Sequence, residues 1–349
     1  MANIYDVAKE AGVSIATVSA VINESSWVSP RTKKRVEAAV RKLGYQPNLL
    51  ARSLAKKQSH MIATIVPDIS NPFFPDVIRG AEDMAHEHNY SLVVASSDND
   101  PRRERLYLDL FLAKQVDGIL LTKAPGKLSE ELRARASAFQ PPMVQLMRSI
   151  NGFKSDTVMA DDWGAAYESV THLLRLGYRR IGLITGAKGV STTRRRLAGY
   201  RQALKDWGIE FEPRLVAGGD YRVQSGYLAG LDLLKQDPEA VFVSNYLMTV
   251  GLMRALDQYQ LRCPRDVGIV TCDDYAWLDS FSPRLTTIDF PKYRLGSEAA
   301  RLLIERLNHP DRPLQTLKLK NSLNIRESCG YLPRWKEQPA AARSNPGVG

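Results

Sequence analysis

Two pairs of adjacent acids are the residues of this sequence that most resemble catalytic carboxylates. Asp161-Asp162 and Asp273-Asp274 each follow a short apolar run, so each pair is predicted at the end of a buried strand. Neighbouring residues do not share a face, however, whereas the two groups of an acid/base pair must reach the same substrate. We therefore interpret these acids as helix caps and as acceptors of hydrogen bonds from a ligand.

The sequence also lacks the usual patterns of nucleotide and metal chemistry. Residues 186–189 (GAKG) do not have the Walker spacing, and no GxGxxG pattern follows the apolar run 61–66. His86 and His88 fall on a predicted polar helix, and the remaining histidines are scattered: His60, His172 and His309. We expect surface or capping histidines, no metal site, no cofactor and no enzymatic activity.

Positive charge is concentrated near the N-terminus. Residues 1–60 contain ten Lys and Arg against four acids, a net charge of +6 out of +10 for the whole chain. A basic protein can bind nucleic acid or an anionic membrane surface, but this concentration at one end is typical of a phosphate-contacting module. No run approaches the roughly 20 apolar residues needed to span a membrane. The cysteines, Cys263, Cys272 and Cys329, lack CxxC spacing, which favours a reducing, cytoplasmic location.

Two short helices are predicted at the start of the basic segment. Apolar residues at i, i+3, i+4 and i+7 over 4–11 predict an amphipathic helix, which Gly12 ends. Ser14 can cap a second helix over 15–23. Two short helices joined by a turn that contains Gly form a helix-turn-helix. The outward-facing residues of the second helix are predicted to be Ile15, Ala16, Thr17, Ser19 and Ala20.

A third helix is predicted to begin at Ser29, with Pro30 in its first turn, and to end at Gly44. Three helices of this size could be a purely structural bundle. The excess of positive charge in this segment favours a DNA-binding module instead.

From Met61 onwards, short apolar runs alternate with helical patterns. Strands are predicted over 61–66, 91–95, 118–121, 143–146, 157–160, 181–185, 215–217, 240–244, 267–271 and 286–288. Helices are predicted over 75–88, 101–114, 129–139, 162–176, 193–207, 224–234 and 248–259. Such alternation predicts an α/β fold with parallel sheets covered on both faces, and two series predict two lobes. Ligands of such sheets bind at the carboxyl ends of the strands.

Several short motifs follow one another in order near the N-terminus. They are IYDVA at 4–8, AGVS at 11–14, ATVS at 16–19, VS at 28–29, LGYQPN at 43–48 and ARSL at 51–54. This series resembles the headpiece and hinge of the lactose-repressor family of bacterial transcription regulators. The resemblance continues through the chain to about Arg326.

The resemblance implies a domain organisation. A helix-turn-helix headpiece would span 1–46, a hinge helix 47–59, and a two-lobed core like that of periplasmic sugar-binding proteins 60–330. A helix over 293–307 and a strand over 316–319 would return to the first lobe, so that the chain crosses between lobes near Ala160, Phe290 and Asn321. Residues 331–349 are rich in Pro, Ala and Gly and are predicted to be a disordered tail.

The resemblance also implies contacts with a pseudo-palindromic operator, bound by a homodimer. Ile15, Ala16 and Ala20 stand at the family's base-reading positions, where better-known members often carry polar or arginine side chains. Aliphatic groups there can contact only thymine methyls or exclude bases by shape. Further predicted contacts are Thr17, Ser19, Asn23, Ser29 and Thr32 to phosphates, and Asn48, Ala51, Arg52 and Leu54 in the hinge. Leu54 stands where the family inserts a leucine between base steps of the minor groove.

For the small-molecule effector, a sugar or sugar derivative, the resemblance implies a site between the lobes. The predicted ligand-binding residues are Phe73, Phe74, Arg148, Thr192, Arg196, Tyr221, Asn245 and Asp273. Without the resemblance, Phe73 and Phe74 could equally be core residues.

Two positions depart from the family's pattern. Met147 and Tyr246 stand where an acid is usual. Because two acids are missing while three consecutive arginines, 194–196, remain, we expect a positive pocket and an anionic effector anchored by Arg196, with Arg148 as a second donor. The alternative is that Arg194 and Arg195 form a solvated helix face.

The sequence therefore predicts a transcription regulator, most simply a repressor, whose effector changes the lobe angle and the hinge. The sign of the response, induction or corepression, stays open. A ligand-binding module with a vestigial headpiece and a sugar-handling enzyme on the same fold are the competing hypotheses. The intact helix caps and the basic excess argue against a vestigial headpiece.

Overall fold

The chain forms two compact units, Met1–His60 and Met61–Gly349. The structure, a computed structural model, describes residues 2–22, 27–45, 58–126, 134, 141–280 and 282–331. Five of the predicted DNA contacts lie outside the described residues: Asn23, Asn48, Ala51, Arg52 and Leu54. The same holds for most of the predicted hinge helix, for the predicted helix 129–139 apart from residue 134, and for the predicted tail beyond Tyr331.

The first unit contains three helices, α1 (Ile4–Ala11), α2 (Ile15–Ile22) and α3 (Pro30–Leu43). The side chain of Asn3 accepts hydrogen bonds from the backbone of Tyr5 and Asp6, and the Asp6 carboxylate accepts one from the backbone of Asn3. This reciprocal cap fixes the start of α1. Gly12 ends the helix at φ 59°, a left-handed conformation that glycine adopts without steric cost.

The predicted caps of the next two helices are confirmed. The Oγ of Ser14 accepts from the backbone N of Thr17 at 3.1 Å, and the Oγ of Ser29 accepts from that of Thr32 at 3.3 Å. The small core takes one fully buried valine from each helix: Val7, Val18 and Val36. The headpiece is therefore a helix-turn-helix followed by a third helix, as predicted.

The first lobe of the second unit contains a six-stranded sheet. In chain order its first elements are β1 (Met61–Val66), α4 (Phe73–Glu87), β2 (Ser91–Ser96), α5 (Pro101–Ala113), β3 (Gly118–Leu121), β4 (Met143–Leu146) and β5 (Thr157–Ala160). The lobe is completed late in the chain by α10 (Lys292–Asn308) and β11 (Thr316–Leu319). The strand order is β11-β5-β4-β3-β1-β2, and all pairs are parallel.

The second lobe contains a sheet of the same size, in the order β12-β10-β9-β8-β6-β7. In chain order its elements are α6 (Asp162–Arg175), β6 (Ile181–Thr185), α7 (Ser191–Asp206), β7 (Val216–Gly218), α8 (Val223–Leu234), β8 (Ala240–Val243), α9 (Tyr246–Gln258), β9 (Gly268–Cys272), β10 (Thr286–Asp289) and β12 (Ser322–Asn324). Short 3-10 helices span Pro213–Leu215 and Ala276–Ser280.

The chain passes between the lobes three times, from β5 to α6, from β10 to α10, and from β11 to β12. These are the predicted crossings. The strand β12 was not predicted, because three residues are too few to show a periodic pattern. It pairs antiparallel to β10, with Leu323 opposite Ile288.

Three helices, α4, α7 and α9, begin two residues earlier than predicted. α4 begins at Phe73, whose backbone N donates to the Oδ1 of Asn71 at 3.1 Å. α7 begins at Ser191 and α9 at Tyr246. The shifts of α4 and α7 place predicted effector residues in the first turn of a helix. Among the described residues, no helix has the length and apolar character needed to cross a membrane.

Candidate functional site

The surface of α2 is the candidate DNA-reading face of the headpiece. Ile15 and Ala16 are exposed, and Thr17 and Ser19 are half-buried. The expectation that Ala20 faces outward is wrong, because this residue is only 7% exposed. A methyl group so enclosed contributes little surface to base reading.

Hydroxyl pairs mark the starts of α2 and α3. The Oγ of Ser14 lies 2.9 Å from Oγ1 of Thr17, and the Oγ of Ser29 lies 2.9 Å from Oγ1 of Thr32. A hydroxyl in such a pair can still bond a phosphate oxygen, because each hydroxyl has one proton and two lone pairs. Trp27, which the sequence analysis did not select, is 68% exposed just before α3.

The basic residues of the headpiece fall into two groups. The guanidinium of Arg35 donates to the main-chain oxygens of Ala11 and Gly12, and Lys42 forms an ion pair with Glu10 at 2.7 Å. Arg35 therefore joins α3 to the turn of the helix-turn-helix. The exposed basic side chains of the described part of the headpiece include Arg31, Lys33 and Lys34 at the start of α3.

The second unit contains a cleft at the carboxyl ends of the strands of both sheets, with about 550 Å³ of space, part of it open to solvent. Small ligands of parallel sheets bind at such strand ends. All eight predicted effector residues line it: Phe73, Phe74, Arg148, Thr192, Arg196, Tyr221, Asn245 and Asp273. The other lining residues are Pro67, Asp68, Asn71, Asn99, Thr122, Met147 and Asp220.

Aromatic rings form one side of the cleft. Phe73 and Phe74 meet edge to face, with ring centroids 5.4 Å apart, and Phe73 also contacts Phe290 at 6.3 Å. Both α4 phenylalanines are buried, at 4% and 6% exposure. They are thus core residues and cleft residues at once, and their faces offer a packing surface for a sugar ring or a base.

Arg196 is held rigidly at the base of the cleft. Its Nε donates to the Oδ1 of Asp162 at 2.9 Å, its Nη1 donates to the main-chain oxygen of Ser244, and its guanidinium lies 5.2 Å from the centroid of Phe290. Asp162 was predicted to be a helix cap or ligand acceptor, but the capping carboxylate is Asp161, whose Oδ1 accepts from the backbone of Gly164. The charge of Arg196 is already compensated within the protein.

Asp273 faces the cleft from the end of β9. It is 3% exposed, and its Oδ2 accepts from the backbone N of Tyr246 at 3.4 Å. Burial raises the pKa of Asp273 to about 6, although the positive charges of Arg196 and Lys292 act in the opposite direction. An acceptor of this kind suits ligand hydroxyls, which can replace the water that the carboxylate has lost.

Several cleft residues have a backbone conformation that is rare for side chains other than glycine. Positive φ values occur at Asn99 (58°), Met147 (63°), Tyr221 (74°) and Asp273 (78°). Such conformations cost free energy and are concentrated at functional sites. In the second lobe, the hydroxyl of Tyr221 lies 3.0 Å from that of Thr192, and the Nδ2 of Asn245 donates to the main-chain oxygen of Tyr221 at 3.0 Å.

The expected excess of positive charge in the cleft is not found. The lining contains three carboxylates, Asp68, Asp220 and Asp273, and two guanidinium groups, Arg148 and Arg196. The reason lies in the run of three arginines. Arg194 is exposed, and Arg195 donates to the Oγ of Ser149 at 3.1 Å instead of lining the cleft.

Sequence reasoning did not select Asn71, Asn99 and Thr122, and it gave Asp162 a different role. Thr122 directly follows β3, so its position at a strand end was the available signal. No pattern in the sequence showed that Asp162 and Arg196 meet, since they are 34 residues apart.

A helix-turn-helix module and a core with a cleft at its strand ends define an effector-controlled, DNA-binding transcription regulator. Two family descriptions match the chain: "Bacterial regulatory proteins, lacI family" over residues 3–48, and "Periplasmic binding protein-like domain" over residues 170–329.

Relatives cover nearly the whole chain. The HTH-type transcriptional repressor CytR of Escherichia coli is 35% identical over 334 residues, which are 95% of this chain and 97% of the relative. The ribose operon repressor of Escherichia coli is 36% identical over 337 residues, 94% of this chain and 100% of the relative. The chain belongs to the lacI family of bacterial regulatory proteins.

Solved structures of transcription regulators resemble this chain over most of its length. The lac repressor dimer bound to operator and the anti-inducer ONPF has a TM-score of 0.83 at 28% identity, covering 94% of this chain and 99% of that chain. A complex of the transcriptional regulator CelR with cellobiose has a TM-score of 0.72 at 30% identity, covering 94% of this chain and 100% of that chain.

Proposed function

We propose that this regulator acts as a repressor that binds a pseudo-palindromic operator as a homodimer, and that a small sugar-derived effector in the cleft controls its affinity for DNA. The observation that carries the proposal is the convergence of all eight predicted effector residues on one cleft, in a chain that also has an intact helix-turn-helix. CytR and the ribose operon repressor are named as repressors, and CelR was solved with cellobiose.

The proposed domain organisation keeps the predicted boundaries: headpiece 1–46, hinge 47–59, effector-binding core 60–330 and tail 331–349. In the headpiece, Ile15 and Ala16 would meet base edges, and Thr17, Ser29 and Thr32 would meet phosphates. Because operator DNA lies in the bacterial cytoplasm, the protein would act there.

Contacts between the lobes provide a route for the effector's signal. The backbone N of Ser149 donates to the Oγ of Ser191 at 2.9 Å, Arg195 reaches Ser149 Oγ at 3.1 Å, and Arg222 lies 4.0 Å from Asp68. Each contact joins a first-lobe residue to a second-lobe residue. A ligand that touches both walls of the cleft would change the angle at which these contacts form, and so shift the population of DNA-binding conformers.

A second surface is proposed for dimerisation. A groove between α8 and α9 is lined by Tyr227, Val250, Met253 and Arg254, together with other residues of α9, and the neighbouring Leu228 is 53% exposed. Apolar side chains on an open surface are typical of an interface with another protein. A second copy of the chain is the partner that the proposed dimer requires.

An enzymatic role is not part of the proposal. Asp161 caps α6 and Asp162 pairs with Arg196, so the adjacent acids have structural roles rather than an acid/base role. In the described residues, no group of three or more His, Cys, Asp or Glu side chains could hold a metal ion.

Selection of duplexes from a random library, followed by fluorescence anisotropy, tests the proposal. We expect one selected sequence to bind at least about a thousandfold tighter than random DNA, with affinity falling steeply between about 50 and 200 mM salt. Binding without sequence preference would contradict the assignment of the headpiece as an operator reader. A flat salt dependence would contradict phosphate contact altogether.

A further inference from the structure

One wall of the cleft, on the first lobe, contains a buried guanidinium without a carboxylate partner. Arg148 is 6% exposed, and its Nη1 donates to two neutral oxygens, the Oδ1 of Asn99 and the main-chain oxygen of Lys123, each at 2.8 Å. Within the described part of the chain, Arg148 forms no ion pair. Burial lowers the pKa of Arg148, because a low-dielectric environment disfavours the charged form. An opposite charge brought by a ligand would stabilise such a group.

The acids whose charges act on Arg148 are bonded elsewhere. One oxygen of Glu104 lies 2.6 Å from Nζ of Lys123, and the other accepts from the backbone of Ala124. Asp162 is bonded to Arg196. Glu104 cannot also serve Arg148 without giving up a buried partner, which would be costly. Asp162 pairs with Arg196 through Oδ1 and forms no ion pair with Arg148 among the described residues.

The carboxylates at the rim of the cleft do not pair with Arg148 either. Asp220 is exposed and accepts from the backbone N of Arg222, and Asp68 accepts from the hydroxyl of Ser70. Water screens the exposed charge of Asp220. The half-buried carboxylate of Asp68 lies 4.0 Å from Nε of Arg222. The position beside Arg148, where the resemblance led us to expect an acid, is occupied by Met147, an apolar residue that also lines the cleft.

Thr122 adds a second polar group without a partner. This residue is 1% exposed and lines the cleft, and its Oγ1 has no hydrogen-bond partner among the described residues. Buried hydroxyl groups are nearly always hydrogen-bonded in folded proteins. An oxygen of the effector is the partner that this position can receive, because a threonine hydroxyl donates one hydrogen bond.

We propose that Arg148 and Thr122 bind an anionic group of the effector, either a carboxylate or a phosphate, on the first-lobe wall. This inference rests on the proposed function of the cleft and names the class of its ligand, a sugar acid or a sugar phosphate. The guanidinium fork matches a pair of anionic oxygens. Asp273 and Asn245, on the opposite lobe, then take the hydroxyl groups of the sugar. The anion anchor is therefore Arg148 and not Arg196, whose charge Asp162 already compensates.

Calorimetric titration and thermal unfolding of the full-length protein with matched ligands test this proposal. The probes are D-ribose with D-ribose 5-phosphate, D-glucose with D-gluconate and D-glucose 6-phosphate, and inorganic phosphate. We expect an anionic member to bind at least about tenfold tighter than its neutral counterpart. Comparison of D-gluconate with the two sugar phosphates shows whether the anionic group is a carboxylate or a phosphate.

Substitutions test whether the preference for the anionic ligand comes from the first-lobe wall. Arg148→Met should abolish the preference for the anion, because it should weaken binding of the anionic ligand at least about tenfold more than binding of the neutral sugar. Thr122→Val should weaken the anion more than the neutral sugar, and Thr122→Ser should restore it. Arg194→Met, which removes an exposed arginine outside the cleft, is the matched control and should bind as the parent does. Should Arg148→Met fail to fold, Arg148→Lys and the Thr122 variants decide the question.

Three results would overturn the inference: neutral and anionic partners that bind equally, an anion preference that survives in Arg148→Met, or no binding of any anionic probe. Operator affinity is measured on the same preparations. A protein that recognises its operator but ignores every anion refutes only this inference, whereas loss of operator recognition counts against the proposed function.

Discussion

The Oδ1 of Asp162 lies 2.9 Å from Nε and 2.8 Å from Nη2 of Arg196, and the two side chains are only 2% and 6% exposed. The pair joins the first turn of α6 to α7 and fixes the guanidinium beneath the cleft. A buried ion pair contributes little when intact, because desolvation offsets the attraction, but the removal of one partner leaves an unpaired charge. Arg196 is thus a rigid part of the site's floor.

From this pair we predict that Asp162→Asn lowers the free energy of unfolding by about 3–5 kcal/mol. Urea unfolding measures the change. The double variant Asp162→Asn/Arg196→Met should lose less free energy of unfolding than the two single variants lose together, because neither charge is then left unpaired. Strict additivity in this cycle would show that the two side chains are not coupled.

The pairing of Asp162 with Arg196 could not be predicted from the sequence, although much of the fold could. The strands other than β12 were predictable, because apolar runs such as 61–66 and 181–185 form buried parallel strands whose partners share the same pattern. The three crossings between lobes were implied by the resemblance to the lactose-repressor family. Which acid compensates which arginine depends on the packing of α6 against α7, and no local pattern encodes it.

The effector residues were implied by the resemblance to the family, and the fold explains why they converge. Thr192, Asn245 and Asp273 lie at or just after strand ends or in the first turn of a helix, positions that the fold itself brings to one cleft. The electrostatics of the cleft were not predictable. Counting arginines along 194–196 suggested a positive pocket, but helical geometry sends these three side chains in different directions, and only Arg196 lines the cleft.

Asp273 gives a prediction about pH. Its pKa in the folded protein is raised to about 6, above the ordinary value of about 3.9. Its contribution to stability is therefore fully present below the unfolded value and is lost as the pH rises through about 6. We expect Asp273→Asn to be more stable than the parent at pH 8, by up to about 3 kcal/mol, and close to the parent at pH 4.

Urea unfolding at both pH values checks the Asp273 prediction, with the exposed Asp232→Asn as the control variant. A ligand whose hydroxyls donate to the Asp273 carboxylate favours its charged form. Effector affinity should therefore rise between about pH 5 and pH 7 in the parent. An Asp273→Asn variant whose advantage does not grow with pH would contradict the assignment.

Basic residues of the headpiece should separate into structural and DNA-contacting groups. Arg35→Met removes the bonds to Ala11 and Gly12 and should destabilise the headpiece by about 1 kcal/mol. Lys33→Met removes an exposed charge and should leave stability unchanged, while it lowers the salt slope of operator binding by about 1. Thermal unfolding and anisotropy titrations at several salt concentrations distinguish the two. A reversed pattern would show that Arg35 meets DNA and Lys33 supports the fold.

The groove between α8 and α9 predicts the effect of a charge at the proposed dimer surface. Met253→Glu places a carboxylate among Tyr227 and Val250 and should weaken self-association by about tenfold or more, because the acid would lose its water in the interface. Sedimentation velocity over a range of concentrations measures the change, and the exposed Lys205→Glu on α7 is the control. Unchanged association in Met253→Glu would place the dimer contact on another surface.

Operator recognition should depend more on the hinge than on the reading helix. Ala16 is exposed on α2 but offers only a methyl group, which can contact a thymine methyl and little else. Leu54, which lies outside the described residues, is proposed from the resemblance to be the leucine that enters the minor groove, and such a wedge supports bending of the whole site. We therefore predict that the loss of operator affinity is about ten times larger or more in Leu54→Ala than in Ala16→Gly.

Anisotropy titrations on one selected operator compare the two variants. Thermal unfolding confirms that each headpiece is folded, since glycine in a helix also costs stability. Equal losses from the two substitutions would mean that base reading by α2, and not deformation of the DNA by the hinge, provides the specificity.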